Sequence, residues 1–189
     1  MNLDSTEFLK PLINGCQKGD ATSQKVIYKG FYGYGMNICL RYSSNREEAN
    51  EILNDGFMKV FTKIETYDKA KPFKLWLRRI MINTAINYYK KNLRHNNTLE
   101  LVYADNETFQ PEIIEQITAN EILEIIQKLP PAYRTVFNLY AIEGYKHHEI
   151  AELLSIEIGT SKSNLAKARL KIKSMINNTN KELFRKHEG

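Results

Sequence analysis

Apolar residues recur at every third or fourth position along almost the whole chain, and no stretch sustains the apolar–polar alternation of a β-strand. A helix with such a stripe is stabilised by burying it against other helices. We therefore predict an all-α protein. The predicted helices span 5–18, 21–42, 46–64 and 72–95 in the first half, and 132–142, 146–154 and 160–176 in the second.

A change in charge divides the chain into two small helical domains. Residues 97–127 hold seven acids and no lysine or arginine, and Asn106, Thr108 and Pro111 lie among the first of them. We expect a first domain over 1–96, a flexible acidic linker over 97–111 and a second domain over 112–180.

The pattern of the second domain predicts a helix-turn-helix. Pro130 and Pro131 end one helix and start the next, because proline fits only the first turn of a helix. The last two predicted helices are separated by residues 155–159, which forces a tight turn. Thr160 is the expected N-cap of the last helix.

Basic residues cluster in the first domain. The net charge is only +5, but residues 69–95 contain eight lysines and arginines and no acid. On a helical wheel one arc of roughly 120° collects Trp76, Arg79, Ile80, Asn83, Asn87, Lys90, Lys91 and Arg94. Cations attract phosphates, amides read base edges and rings stack on bases, so this stripe suits a nucleic-acid strand. The alternative is a solvated face with a partly buried tryptophan.

The last predicted helix carries a second candidate surface. Helical spacing turns Ser161, Leu165, Ala168, Ile172 and Ile176 inward and Lys162, Ser163, Ala166, Lys167 and Lys173 outward. Small residues among lysines let a helix approach the floor of a major groove, as a recognition helix must. The alternative is the solvent face of a packed bundle.

Composition argues against an enzyme or a metal site. Cys16 and Cys39 are too few for a disulfide framework and lack zinc-ligand spacing, so we expect reduced core residues. His147 and His148 are adjacent, diverge by about 100° on a helix and cannot share a metal. We expect no cofactor. The N-terminus has no signal-peptide pattern and no apolar run is long enough to span a bilayer, which predicts a cytoplasmic protein without membrane insertion.

Two segments, 47–96 and 129–173, together resemble the two conserved regions of bacterial alternative sigma factors of the extracytoplasmic-function (ECF) class. "EEANEILNDGFMKVF" (47–61) looks like the family's core-polymerase-binding helix, and "YDKAKPFKLWLRRIMINTAINYYKKNLRH" (67–95) looks like its promoter-melting and minus-10-reading segment. "LPPAYRTVFNLYAIEGYKHHEIAELLSIEIGTSKSNLAKARLKI" (129–172) is similar to its minus-35-reading domain.

The resemblance implies three sets of site residues and three partners. The partners are core RNA polymerase, promoter DNA and an anti-sigma regulator. Polymerase binding is assigned to Glu51, Asn54 and Asp55. Tyr67 and Asn83 would hold a flipped minus-10 base, beside Trp76, Arg79, Asn87, Lys90, Lys91 and Arg94. Minus-35 DNA is assigned to Lys146, His147, Thr160, Lys162, Ser163, Asn164 and Lys167.

This sequence also departs from the family pattern. Asn54-Asp55 stands where Gln-Glu is usual, Gly56 where an aliphatic residue is common, and Ser161 and Asn164 where valine and arginine are usual. The fold is compatible with these changes, but the family's minus-35 sequence preference does not transfer to this chain.

Two other function classes compete. An operator-binding regulator that acts without polymerase would also use a helix-turn-helix, but would need a dimerisation element and would leave the first basic stripe without a role. A protein-binding helical adaptor would leave both basic stripes without a role.

Overall fold

The computed structural model describes the backbone of residues 6–95 and 118–187 and the side chains of 8–93 and 118–177. Every regular element in those ranges is helical, which confirms the all-α prediction. The α-helices are α1 (Thr6–Gln17), α2 (Ala21–Tyr42), α3 (Arg46–Thr62), α4 (Phe73–His95), α5 (Ala119–Gln127), α6 (Pro131–Phe137), α7 (His147–Leu154) and α8 (Ile158–His187). A 3₁₀ turn, Ile64–Thr66, precedes α4, and a π-helical turn, Asn138–Ile142, continues α6.

The boundaries between helices follow local side-chain chemistry. The Asp20 carboxylate accepts hydrogen bonds from the backbone N–H groups of Thr22 and Ser23 and thereby begins α2. The Asn45 side chain accepts from the N–H of Glu48 at 2.9 Å and begins α3 in the same way. These caps explain why the predicted breaks before residues 21 and 46 are accurate.

The predicted N-cap of the last helix is wrong. The helix begins at Ile158, so Thr160 lies within its first turn, and the N–H of Ser161 already donates to the carbonyl of Glu157 at 3.0 Å. The turn closes earlier than expected because Ser155 adopts a left-handed conformation (φ 57°, ψ 47°) that reverses the chain directly after α7. The helix also continues to His187, beyond the predicted end at 176.

Glycines set the close packing of the first domain. A Cβ on Gly56 of α3 would lie 2.3 Å from Sδ of Met81 on α4, and one on Gly35 of α2 would lie 2.7 Å from Cδ1 of Leu53 on α3. The three helices therefore approach one another at positions where a larger residue would clash. Gly56, which departs from the family pattern, is a packing residue here.

The two halves share one apolar core. Val136, Leu139, Ile150, Leu154 and Leu165 of the second half are buried in the same hydrophobic cluster as the core of α1–α4. A smaller cluster around Leu129, Tyr133 and Ala168 joins α6 to α8. The linker predicted over 97–111 lies outside the described residues.

None of the helices in the described ranges has the length and apolarity that crossing a membrane requires. Cys16 and Cys39 are buried and unbonded, as predicted. Burial raises the pKa of the Cys16 thiol to about 11 and that of Cys39 to about 12, so both remain protonated at neutral pH.

Candidate nucleic-acid interface

A cleft of about 620 Å³ opens at the start of α4, between this helix and the loop before it. Tyr67 lies on the loop side, and Trp76, Arg79 and Asn83 line the helix side. The side chains of Arg79 and Asn83 are exposed, and those of Tyr67 and Trp76 are half-buried. The cleft therefore offers rings, a cation and an amide to one occupant.

Aromatic packing holds the wall of this cleft. The ring centroids of Tyr67 and Trp76 are 5.3 Å apart, and Phe73 lies 5.3 Å from Tyr67 and 5.6 Å from Trp76. The Tyr67 hydroxyl donates to the carbonyl of Lys71 at 2.5 Å, which fixes the ring across the loop. Burial, with a smaller contribution from Asp68, raises the pKa of Tyr67, so its hydroxyl stays a neutral donor.

The rest of the α4 stripe continues from this cleft towards the C-terminal end of the helix. Asn87 and Lys91 are exposed and Lys90 is half-buried, whereas the Arg94 side chain lies outside the described part. The Lys90 ammonium donates to the Ser155 hydroxyl of the second half at 3.2 Å. Among the predicted minus-10 residues, Lys90 is thus already engaged within the chain.

A separate exposed face runs along α3. Glu51, Asn54 and Asp55 are all exposed on it, so the structure brings these three predicted residues together. The Tyr28 hydroxyl donates to Oδ1 of Asn54 at 3.2 Å and orients that amide. Met58, 64% exposed one turn further on, adds an apolar group that sequence reasoning missed. The four-residue spacing between Asn54 and Met58 is visible in the sequence. The exposure of Met58 is not, because it depends on how α3 packs against the other helices.

The outward face of α8 matches the wheel prediction from Ser161 to Ala168, whereas Ile172, Lys173 and Ile176 are all half-buried and show no such division. Lys162, Ser163, Ala166 and Lys167 are exposed, whereas Ser161, Leu165 and Ala168 are buried. Asn164 is half-buried and Thr160 is exposed in the first turn. The surface therefore presents two lysines around small residues, and Lys167 lies 6.0 Å from the Tyr133 ring centroid.

His147 has a structural environment that its sequence position did not reveal. Its ring stacks on Tyr140 with centroids 4.6 Å apart, and its Nδ1 lies 2.9 Å from the Ser161 hydroxyl. Burial, then the positive charges of Lys162 and Arg169, lower the pKa of His147. The neighbouring Lys146 is exposed, and its backbone N–H donates to Glu149 at 2.7 Å at the start of α7.

Arg169 is a further candidate that sequence reasoning missed. Its guanidinium lies 5.7 Å from the Tyr140 ring centroid, on the same side as His147. The helical wheel of α8 could not reveal this contact, because Tyr140 belongs to the turn after α6 and reaches Arg169 only in the folded chain. Arg169 extends the positive surface of the helix-turn-helix by one cation.

Two sigma-70 family models match this chain. Sigma-70 region 2 matches residues 28–95, and sigma-70 region 4 matches residues 119–172. The first segment contains the α3 face and the α4 stripe, and the second contains α5 to the outward face of α8. The two matches together cover more than half of the chain.

Characterised relatives extend the similarity over most of the sequence. The ECF RNA polymerase sigma-E factor of Haemophilus influenzae is 24% identical over 177 residues, which cover 87% of this chain and 93% of the relative. The ECF RNA polymerase sigma factor SigW of Bacillus subtilis is 27% identical over 173 residues, covering 85% and 92%. A solved structure of the sigma factor RpoE with the anti-sigma factor NepR from Bartonella quintana is 19% identical, covers 81% of this chain and 96% of its own, and has a TM-score of 0.48.

Region 2 and region 4 occur here in family order, each on the helices that carry one of the two basic surfaces. An operator-binding regulator acting without polymerase, or a helical adaptor, has no use for this pair, and sigma factors are non-enzymatic subunits of RNA polymerase. The chain belongs to the sigma-70 family and is an ECF sigma factor, which directs RNA polymerase to promoters.

Proposed function

We propose that this sigma factor divides promoter recognition between its two basic surfaces. The cleft formed by Tyr67, Trp76, Arg79 and Asn83 reads an unpaired minus-10 base, and the α8 face with Lys162, Ser163 and Lys167 binds minus-35 duplex. The observation that carries this proposal is the cleft itself, which is lined by an exposed amide and by two aromatic rings packed on each other. An amide pairs with a base edge and a ring stacks on its face, so both contacts require an unstacked base.

The duplex surface uses a different chemistry. A helix reads the major groove when small residues allow close approach and cations meet the phosphates. Ser163 and Ala166 are the small exposed residues, and Lys162 and Lys167 flank them. Lys146, His147, Thr160 and Asn164 belong to the same proposed surface, with His147 acting partly by fixing the N-terminal turn of α8.

Transcription with purified core polymerase tests the minus-10 assignment. We expect Asn83→Ala to leave the closed complex nearly unchanged and to reduce open-complex formation about tenfold, since a lost base contact costs about 1–3 kcal/mol. Permanganate reactivity of unpaired thymines measures this step. A template with a pre-melted bubble separates the two roles of Asn83, because a defect that persists there reflects base reading and one that disappears reflects melting.

Asn37→Ala is the matched control, since Asn37 is an exposed asparagine on α2 away from the cleft. It should behave as the wild type on both templates. Wild-type activity of Asn83→Ala on both templates would overturn the assignment of the cleft.

We propose that polymerase docks on the α3 face formed by Glu51, Asn54, Asp55 and Met58. Three exposed polar residues are followed one turn later by an exposed methionine, so the face combines polar groups with an apolar side chain, as protein interfaces commonly do. The alternative is that acids on α3 only favour the N-terminal half of the helix through its dipole.

Charge reversal distinguishes these two roles. Asp55→Lys should weaken core-polymerase binding by about tenfold, or about 1.4 kcal/mol, with an unchanged melting temperature. Glu65→Lys makes the same charge change on an exposed residue outside α3 and serves as the control. Normal core binding by Asp55→Lys, with a small loss of stability, would favour the dipole alternative.

The cellular setting follows from the same proposal. We place the protein in the cytoplasm, where it would meet polymerase, and expect an anti-sigma factor as its regulator. Both statements rest on the family resemblance.

A further inference from the structure

Leu75 is an apolar side chain that the packing of α4 leaves in solvent. It lies in the first turn of the helix and is 61% exposed, whereas Phe73 and Leu77, two residues before and after it, are buried. Its backbone N–H donates to the carbonyl of Pro72 at 3.1 Å, which fixes the start of the helix. Single exposed leucines are common on protein surfaces, so the surroundings of Leu75 decide whether its exposure has a role.

Leu75 lines the cleft that we assign to an unpaired minus-10 base. The same cleft contains the exposed ring of Pro72 and the half-buried side chains of Trp76 and Ile80. These residues follow one another at helical spacing, so they give the cleft an apolar wall. An occupant would bury part of Leu75, and removing apolar surface from water is favourable. The cleft therefore favours an occupant that carries an apolar group.

Three exposed cations around the cleft suit the backbone of a nucleic-acid strand. Lys63, Lys71 and Arg79 all line it. Asp68 also lines the cleft, and the Lys71 ammonium lies 3.5 Å from its carboxylate. The three cations still leave the cleft with a net positive charge, which attracts the phosphates on either side of an unpaired base.

Leu75 and Asn83 lie at opposite ends of the helix side of this cleft. Asn83 is eight residues after Leu75, or about 12 Å further along α4 at about 1.5 Å per residue. One pyrimidine cannot span that distance, because its 5-methyl group and its pairing edge belong to the same six-membered ring. Asn83 also lines a second pocket of about 300 Å³ with Asn87, so a strand can continue along α4 from one pocket to the next. The base that reaches Leu75 is therefore a neighbour of the base that Asn83 reads.

Thymine is the DNA base that offers an apolar group to such a wall. Its 5-methyl group is the part of a base edge that apolar side chains contact, whereas the edges of the other three bases carry hydrogen-bond donors and acceptors. Stacking on Tyr67 or Trp76 does not discriminate, because every base has an aromatic face. Leu75 adds a contact that does.

We propose that Leu75 selects thymine at one position of the unpaired minus-10 strand by packing on its 5-methyl group. The inference rests on the proposed minus-10 role of the cleft and adds a base identity to it. Asn83 reads the pairing edge of the neighbouring base, and the rings of Tyr67 and Trp76 supply stacking that tolerates any sequence.

Exchange of thymidine for deoxyuridine tests this contact, because the two nucleotides differ only in the methyl group. The probes are pre-melted bubble templates in which each position of the unpaired non-template strand in turn carries thymidine or deoxyuridine. Fluorescence anisotropy measures their binding to the holoenzyme. We expect the wild type to prefer thymidine about fourfold at one position, the effect expected of burying one methyl group. Leu75→Ala should bind both templates equally at that position.

Leu93→Ala is the matched control, because Leu93 is 47% exposed on the same helix and lies outside the cleft. It should keep the thymidine preference, and circular dichroism checks that both variants are folded. Equal binding of thymidine and deoxyuridine at every position by the wild type would overturn the inference. So would a Leu75→Ala variant that keeps the preference, even if it binds both templates more weakly.

Asn83→Ala separates a failure of this inference from a failure of the proposed function. It should keep the thymidine preference, because Asn83 contacts a different nucleotide. Loss of the preference in Asn83→Ala would place both residues on one base and overturn the assignment to neighbouring nucleotides. Wild-type promoter melting by Asn83→Ala removes the minus-10 role of the cleft. A melting defect in Asn83→Ala, combined with equal binding of the two nucleotides by the wild type, removes thymine selection alone.

Discussion

At the scale of single residues, contacts that are distant in sequence decide what a side chain does. His147 resembles a phosphate-contacting residue by position, yet its ring lies between Tyr140 and the Ser161 hydroxyl. It therefore links α7, the turn after α6 and the first turn of α8. Ser155 similarly supplies the left-handed residue of the helix-turn-helix, a conformation that usually favours glycine.

The environment of His147 predicts a pH-dependent stability. Its pKa is lowered by burial and by Lys162 and Arg169, so the unfolded chain binds the proton more readily than the folded one. The stability it contributes is fully present above the ordinary histidine pKa of about 6.5 and declines as the pH falls below it. We expect the melting temperature to fall less between pH 7.5 and 5.5 in His147→Gln than in the wild type.

His148→Gln is the control for this measurement, because His148 is exposed on the same helix. It should retain the wild-type pH dependence. The same slope in all three proteins would show that His147 does not stabilise the fold through its neutral form.

At the scale of helices, spacing predicts which face is buried but not how closely two helices approach. Gly56 looks like a weak point of α3, since glycine costs about 1 kcal/mol in a helix interior. The structure gives it a role, because α4 places Met81 directly over it. Met81 is fully buried, so its side chain has little room to move away.

This packing predicts opposite effects for the same substitution at two helical glycines. Gly56→Ala should lower the melting temperature by about 3 °C, because overpacking of about 1–3 kcal/mol exceeds the helix-propensity gain of about 1 kcal/mol. Gly33→Ala on α2 should raise it by a similar amount, since nothing lies within 4 Å of the added Cβ. Thermal unfolding followed by circular dichroism measures both. A rise in the melting temperature of both variants would mean that the Met81 side chain moves aside without loss of stability.

At the scale of the whole molecule, the two halves are not independent cores. Leu139 and Ile150 are fully buried in the cluster built by α1–α4, and Glu143 is paired across the same boundary. The domain bounds 1–96, 97–111 and 112–180 stay a prediction, because the linker lies outside the described residues. What the fold adds is a contact between α4 and the helix-turn-helix, in which the Lys90 ammonium donates to the Ser155 hydroxyl at 3.2 Å.

Much of this protein is determined by local chemistry that the sequence displays. Helical spacing, the caps at Asp20 and Asn45, and the basic run over 69–95 depend on neighbours within a few residues. Seven of the eight α-helices in the described ranges could therefore be predicted, with their order and the exposed faces of α4 and α8, whereas α5 was not among the predicted helices. The function could be predicted from the family resemblance, because the family's motifs lie in continuous segments of the sequence.

Only the tertiary structure decided the rest. The cleft beside Asn83, the stacking of His147, the fit of Gly56 under Met81 and the pairing of Glu143 with Arg41 and Arg78 join residues from separate helices. The partner of a buried charge depends on the crossing of those helices, and no spacing within one helix encodes it. Nothing in the sequence distinguishes Glu143 from the other acids. In the fold it pairs with Arg41 and Arg78 of the first half.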